Sequence, residues 1–142
     1  MMYLLDTNVV SELRKQTSGK ANENVVAWAK SVSADTLYLS VISLMELEMG
    51  VLSIQRKDIQ QGNLLRIWLD SQVIPAFNGR TISIDAPIAQ CCAGLHIPDP
   101  RSERDALIAA TAIVHGMTVV TRNLADFEST GVKLLNPWLR YS

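Results

Sequence analysis

The sequence has few of the residues that build disulfide frameworks and zinc sites. Its two cysteines, Cys91 and Cys92, are adjacent, and neighbouring cysteines seldom meet disulfide geometry. His96 and His115 are the only histidines, and no Cys/His spacing typical of zinc is present. We therefore expect a reduced, cytoplasmic chain without structural zinc.

Two further shortages exclude whole classes of function. The formal net charge is -1, which argues against a simple DNA-binding module with a basic surface. It does not argue against an enzyme that binds phosphates through metal ions. No apolar run is long enough to span a bilayer, so no membrane partner is expected. With 48% hydrophobic and 19% charged residues, the chain is predicted to form a single globular domain over residues 1–142.

Short apolar segments alternate with segments of helical period along the chain. Strands are predicted around Leu4, Leu39, Ile82, Val119 and Leu134, and helices between them. This alternation predicts an α/β fold, a three-layer α/β/α arrangement in which a five-stranded parallel sheet carries helices on both faces. The short last connection predicts that the strands around Val119 and Leu134 are neighbours.

The first predicted strand, Tyr3-Leu4-Leu5, ends at the carboxylate of Asp6. Thr7 or Asn8 can cap the helix that follows, so Asp6 is predicted at the edge of the sheet where ligands bind. A partly buried carboxylate is costly unless something pairs with it. Asp6 is therefore either a metal ligand or an acid that caps the next helix.

Four acids follow predicted strands or open predicted helices at this same edge: Asp6, Glu46, Asp105 and Asp126. Clustered carboxylates repel one another unless cations lie among them, and all-oxygen sites suit Mg²⁺ or Mn²⁺. Such an ion could activate water at a scissile phosphate. The structural alternative is that Ser43-x-x-Glu46 and Asn123-x-x-Asp126 are capping boxes and that Asp105 complements a helix dipole.

Longer motifs surround these acids, and they resemble the successive motifs of the PIN-domain family. They are most similar to the VapC/FitB-type toxin ribonucleases of bacterial type II toxin–antitoxin systems. The resemblance runs from Met2 to about Trp138. The motifs are Leu5-Asp6-Thr7-Asn8 with Ser11-Glu12, Ser43-x-x-Glu46, Asp105-Ala106-Leu107-Ile108-Ala109-Ala110-Thr111-Ala112 and Thr121-Arg122-Asn123-Leu124-Ala125-Asp126-Phe127.

The resemblance implies a sheet in the order 3-2-1-4-5 and an Mg²⁺- or Mn²⁺-dependent RNA endonuclease. It also implies a homodimer that a cognate antitoxin protein holds inactive. The family's catalytic and metal-binding acids fall on Asp6, Glu46, Asp105 and Asp126, and its polar helper falls on Thr121.

Other polar residues near the acids have two interpretations each. Asn8 and Asn123 either orient the site through hydrogen bonds or cap helices. Arg122 either contacts an RNA phosphate, which we favour, or is solvated surface charge, the interpretation we prefer for Arg104. The tryptophans are interpreted as core or interface residues rather than base-stacking platforms: Trp28, Trp68 and Trp138.

Two rival functions stay open from the sequence. A haloacid-dehalogenase-like phosphatase also begins with an acid after its first strand, but its second Asp would stand where this chain has Asn8. A non-catalytic α/β interaction module would use the acids only as helix caps.

The segment from Ser43 to Ile54 is apolar at almost every position except Glu46 and Glu48. A helix of this kind would expose an apolar patch in a single small chain. A second helix after Asp58 is predicted beside it, with an inward stripe of Leu64, Leu65, Trp68 and Leu69. We therefore predict a two-fold homodimer through these two helices.

Overall fold

A computed structural model describes residues 1–139, and its centre is a parallel sheet. The strands are β1 (Tyr3–Leu5), β2 (Leu37–Ser40), β3 (Thr81–Ile82), β4 (Thr118–Val120) and β5 (Leu134–Leu135). These five strands lie in the order β3-β2-β1-β4-β5, which confirms the predicted fold class and strand order. Tyr3 of β1 pairs with Leu37 of β2 and with Thr118 of β4. The strand order therefore reverses between β1 and β4, where open α/β sheets bind their ligands.

Helices fill most of the connections between strands. They are α1 (Thr7–Arg14), α2 (Glu23–Ser31), α3 (Val41–Lys57), α4 (Ile59–Trp68), α5 (Ile74–Ala76), α6 (Ala86–Leu95) and α7 (Glu103–His115). A π-helical segment, Leu69–Val73, joins α4 to α5, and 3-10 helices occupy Lys15–Ser18, Ala34–Thr36, Leu124–Asp126 and Glu128–Thr130. The connection from β4 to β5 is therefore two 3-10 turns, not an α-helix. Helix α7 ends at Gly116, whose φ of 68° suits a glycine.

Helix α3 begins before the position that the sequence predicted. Ser40 caps it, because the Ser40 side-chain oxygen accepts a hydrogen bond from the Ile42 N–H at 3.0 Å. Ser43 is consequently buried inside the helix, so the structural alternative in which Ser43 and Glu46 form a capping box is wrong. The Glu46 carboxylate is left to contact other elements.

Apolar side chains pack on both faces of the sheet. Alternate residues of a strand point to opposite faces, so Leu4 and Val119 pack with Ile108 of α7, whereas Leu5 and Val120 pack on the other side. The layer on that other side comes from α1 to α4 and the π-helical segment, and its buried residues include Val9, Val10, Val25, Leu47, Val51 and Leu69. Both layers hold the carboxyl end of β1 in one position.

The outer surface of α3 and α4, here called the α3–α4 face, is apolar and exposed. Its exposed side chains are Met45, Met49, Leu52, Ile59, Leu64 and Ile67. Leu64 is 62% exposed, so the prediction that it points inward is wrong, whereas Leu69 is buried as predicted. Among residues 1–139, no helix is both long enough and apolar enough to cross a membrane.

Gly62 allows α4 to lie directly against α3. A Cβ at this position would lie 2.4 Å from the Gln55 Cα, a backbone atom that cannot turn aside. We expect Gly62→Ala to lower the free energy of unfolding by about 1–3 kcal/mol through overpacking. Gly50→Ala is the matched control in α3. Nothing lies within 4 Å of a Cβ added at Gly50, and alanine favours a helix. Urea denaturation compares them, and a Gly62→Ala variant as stable as the parent chain would contradict this packing.

Candidate active site

Asp6 lies at the carboxyl end of β1, beside the reversal of strand order. Its backbone N–H donates to the Val120 carbonyl at 2.9 Å, which ties it to β4. The Asp6 Oδ1 accepts from the Thr7 N–H at 2.9 Å, and Oδ2 accepts from the Thr121 hydroxyl at 2.8 Å. Asp6 therefore caps α1 itself, in place of the predicted Thr7 or Asn8. These bonds fix the orientation of the carboxylate without neutralising its charge.

Glu46 reaches the site from the second turn of α3. Its Oε1 accepts a hydrogen bond from the Thr7 hydroxyl at 2.7 Å, so the residue next to Asp6 holds it. Its Oε2 lies 3.5 Å from the guanidinium of Arg104, which the sequence had assigned to the surface. Because Arg104 is about half exposed, this ion pair contributes little to stability. A cation that enters the site would compete with Arg104 for the Glu46 carboxylate.

Two of the acids are held where protonation is favoured. Burial raises the pKa of Asp6 above its ordinary value of 3.8, and the charges of Glu46 and Asp126 raise it further, against two hydrogen bonds that lower it. Burial also raises the pKa of Asp105, in the first turn of α7, and the charges of the other three acids add to this rise. Carboxylates that raise one another's pKa values repel one another when ionised. A bound cation would reduce this repulsion, so these acids form a candidate cation site.

Three of the four predicted acids line one open cleft of about 480 Å³, and these are Asp6, Glu46 and Asp105. Its other lining residues are Thr7, Asn8, Ser11, Glu12, Lys15, Arg122, Asn123 and Trp138. Asp126 is exposed on the 3-10 turn after β4 and lies outside this lining, although its charge acts on Asp6 and Asp105. The structure therefore brings Asp6, Glu46 and Asp105 together in the cleft, whereas Asp126 lies outside its lining.

The donor set suits a hard divalent cation, because carboxylate oxygens are the ligands that Mg²⁺ and Mn²⁺ prefer. Among residues 1–139, no three His, Cys, Asp or Glu side chains converge closely enough to ligate one ion directly as they stand. Mg²⁺ usually keeps several waters in protein sites, so carboxylates at wider spacing can hold it through those waters. The residues present fit coordination of this kind, with Asp6 as the most firmly oriented donor.

Hydrogen bonds join Thr121 and Asn8 to Asp6. The Asn8 Nδ2 lies 3.3 Å from the Asp6 Oδ2 and 3.4 Å from the Thr121 Oγ1, and the Asn8 Oδ1 accepts from the Arg122 N–H at 3.3 Å. The Asn123 N–H donates to the Thr121 Oγ1 at 3.0 Å, while its side chain caps no helix. Asn8 thus contacts Asp6 and Thr121 through its side chain, and Asn123 contacts Thr121 through its backbone N–H.

The sequence profile of the PIN domain family matches residues 3–133 of this chain. The chain belongs to the PIN domain family. It is 37% identical to VapC ribonuclease Y4jK of Sinorhizobium fredii, over 96% of this chain and 98% of that protein. It is 38% identical to toxin FitB of Neisseria gonorrhoeae, over 96% of this chain and 99% of FitB.

Solved structures resemble this PIN domain over nearly its whole length. FitAcB from Neisseria gonorrhoeae matches with a TM-score of 0.86 and 36% identity, over 96% of this chain and 99% of that one. FitAB bound to an IR36 DNA fragment matches with a TM-score of 0.88 and 34% identity, over 99% of both chains. A toxin–antitoxin complex from Klebsiella pneumoniae matches with a TM-score of 0.64 and 26% identity, over 95% of this chain and 97% of that one.

Glu12, Lys15 and Trp138 also line the cleft of this PIN domain, although the sequence did not mark them as site residues. Asn8, Glu12 and Lys15 recur at helical spacing along α1 and into the 3-10 helix that follows it, a pattern that could have placed them. Glu12 accepts from the Asn22 N–H at 2.8 Å and from the Lys15 ammonium at 3.2 Å, and the bond from Asn22 lowers the pKa of Glu12. No spacing pattern in the sequence around Trp138 marks it as a cleft residue.

Thr121→Val tests the hydrogen bond that orients Asp6 in this PIN domain. We expect it to weaken Mn²⁺ binding by roughly 10- to 100-fold, as loss of an outer-shell partner usually does. Thr121→Ser keeps the hydroxyl and is the matched control, with affinity close to that of the parent chain. Isothermal titration with Mn²⁺ measures both variants. Equal affinities for the valine and serine variants would mean that the Thr121 hydroxyl does not position a ligand.

Proposed function

We propose that this PIN domain is a metal-dependent endoribonuclease that acts as the toxin of a toxin–antitoxin pair. The observation that carries this proposal is the meeting of Asp6, Glu46 and Asp105 in one cleft beside the reversal of strand order. The near full-length similarity to VapC ribonuclease Y4jK and toxin FitB supports it. The substrate is RNA, and the reaction is hydrolysis of its phosphodiester bonds.

Different residues of the cleft have different proposed roles in binding the metal ion. Asp6, Glu46, Asp105 and Asp126 would hold Mg²⁺ or Mn²⁺, directly or through water, and the bound ion supplies an activated water and neutralises charge at the scissile phosphate. Thr121 fixes the orientation of Asp6, so one donor is in place before the ion arrives. The Thr7 hydroxyl holds Glu46, and the first turn of α7 presents Asp105.

A cognate antitoxin is the proposed protein partner that controls this cleft. FitAB and the Klebsiella pneumoniae toxin–antitoxin complex resemble the chain in fold, which supports a partner of this kind. A toxin that cuts RNA works where RNA is translated, so we expect the chain to act in the cytoplasm.

The haloacid-dehalogenase-like alternative gains no support from the cleft. Its second Asp would stand at Asn8, and here the Asn8 amide contacts Asp6 and Thr121. The non-catalytic interaction module is the alternative that needs an experiment, because Asp6 does cap α1.

Thermal melting during an Mn²⁺ titration separates a metal site from a set of helix caps. A ligand that binds only the folded chain stabilises it by about 2.7 kcal/mol at 100 times its dissociation constant. We expect Mn²⁺ to raise the melting temperature of the parent chain but not that of Asp6→Asn. Asp85→Asn is the matched control, because Asp85 caps α6 through the Ile88 N–H and should leave the Mn²⁺ effect intact. If Mn²⁺ stabilises neither the parent chain nor the control, the interaction module is favoured.

A further inference from the structure

Two chemically different sets of side chains line the cleft. Asp6, Glu46 and Asp105 are acidic, whereas Lys15, Arg122 and Trp138 are cationic or aromatic. RNA carries a negative charge at every phosphate, so the acidic side chains alone would repel a strand that approaches them. The cationic and aromatic side chains are therefore the ones suited to hold the substrate.

Arg122 is exposed and lies against the indole of Trp138. The guanidinium carbon is 5.3 Å from the ring centroid, within the range of a cation–π contact. Among residues 1–139, the Arg122 guanidinium makes no ion pair with a carboxylate, whereas Lys15 is paired with Glu12. The donor groups of Arg122 are thus available to an anionic ligand.

Both residues are tied to the framework of the cleft. The Trp138 backbone N–H donates to the Asn136 side chain at 2.9 Å, and the Trp138 carbonyl accepts from the Asn24 side chain at 2.9 Å. The Arg122 backbone N–H donates to Asn8, whose amide in turn contacts Asp6. The backbones of both residues are therefore held beside the cleft, and that of Arg122 is linked to Asp6 through Asn8.

We propose that the Arg122–Trp138 pair is a nucleotide clamp that selects unpaired RNA, an inference that rests on the proposed ribonuclease function. The Arg122 guanidinium lies over the Trp138 indole and offers a flat cationic face on which a base can stack, and its outer N–H groups can bind the neighbouring phosphate. A base inside a duplex is already stacked between its neighbours and cannot reach this face. The clamp thus places the phosphate of an unpaired segment beside Asp6 and Asp105.

Steady-state cleavage of a short unpaired RNA tests the clamp, with Arg122→Ala and Arg122→Lys as variants. We expect Arg122→Ala to raise KM by roughly 5- to 150-fold, the range for loss of one stacked base, with kcat nearly unchanged. Arg122→Lys keeps the charge but loses the flat face, so its KM should lie between that of the parent chain and that of Arg122→Ala. Arg14→Ala is the matched control, because Arg14 lies 5.9 Å from the Trp68 ring centroid in an equivalent pair that does not line the cleft.

Binding of the same RNA in EDTA, where no metal-dependent cleavage occurs, separates this inference from the proposed function. We expect the unpaired RNA to bind more tightly than its duplex, and Arg122→Ala to abolish the difference. An Arg122→Ala variant with unchanged KM and unchanged preference for unpaired RNA would overturn the clamp, even if the parent chain cuts RNA. A parent chain that binds unpaired RNA through Arg122 but never cuts it would overturn the ribonuclease function and leave the clamp standing.

Discussion

Asp105→Asn is expected to reduce metal-dependent RNA cleavage more than about 100-fold and to raise the melting temperature of the chain. The loss should exceed that of an outer-shell partner, because Asp105 is proposed to hold the ion itself. The gain in stability follows from removing a half-buried charge that Asp6, Asp126 and Glu46 repel. Loss of activity together with gained stability is what a site built from mutually repelling acids predicts.

The stabilisation should depend on pH in a definite direction. The pKa of Asp105 is raised in the folded chain from its ordinary value of 3.8, so the folded chain binds the proton more tightly than the unfolded chain does. The contribution of Asp105 to the stability of the parent chain therefore falls as pH rises from 3.8 through the raised pKa. We expect the advantage of Asp105→Asn to be largest at neutral pH and to disappear as pH falls toward 3.8.

Melting curves across this pH range, measured without metal, check the prediction. Asp35→Asn is the matched control, because Asp35 is exposed on a 3-10 turn before β2, at the opposite edge of the sheet from the cleft. It should change neither cleavage nor the pH dependence of stability. An Asp105→Asn variant that cuts RNA at the parent rate, or that is less stable at neutral pH, would contradict the proposed role.

Leu52→Arg and Leu64→Arg are expected to convert a homodimer into monomers. Both leucines lie on the α3–α4 face, where they are 54% and 62% exposed. Several large apolar side chains exposed on two adjacent helices are usually buried by a partner in chains of this size. Losing a central interface residue typically costs 2 kcal/mol or more, so each charge should raise the dimer dissociation constant at least about 30-fold.

Sedimentation velocity at micromolar concentration measures this change. Ile97→Arg is the matched control, because Ile97 is 73% exposed but lies in the loop after α6, away from the α3–α4 face. Trp68 is unsuitable for the test, since it packs partly into the core and charging it would disturb the fold. A parent chain that is a monomer would refute the dimer, and a dimer that both substitutions leave intact would place the interface elsewhere.

The central strands and the place of Asp6 could be predicted because short-range signals and the fold agree there. Leu4 and Leu5 are apolar neighbours that the sheet buries on opposite faces, and a carboxylate ends the strand. The short connection between β4 and β5 predicted that these two strands are neighbours. The rest of the strand order came from the family motifs, since no local pattern states which other strands pair across the sheet.

The alternative interpretation of Ser43 and Glu46 as a capping box is wrong because two cap signals compete within a few residues. Ser40 and Ser43 can both begin a helix, and the helix starts at the earlier one, which follows β2 directly. Glu46 then bonds to Thr7, which is 39 positions away along the chain. No window of local sequence contains that partner.

The position of Trp138 also depends on contacts with residues far away in the sequence, which local patterns do not reveal. It reaches the cleft because its carbonyl bonds to Asn24, which is 114 positions away, and because Arg122 lies against its ring. Composition and spacing alone favoured a core or interface role, and the ring is in fact half-buried beside the core while it lines the cleft.

Cleavage of RNA by the purified chain, freed of any bound protein, tests the central claim most directly. The measurement compares Mg²⁺ or Mn²⁺ with excess EDTA, and the parent chain with Asp6→Asn. We predict that the parent chain cuts RNA only with the divalent ion and that Asp6→Asn does not cut it in either condition. Equal cleavage in EDTA, or full activity of Asp6→Asn, would contradict the account.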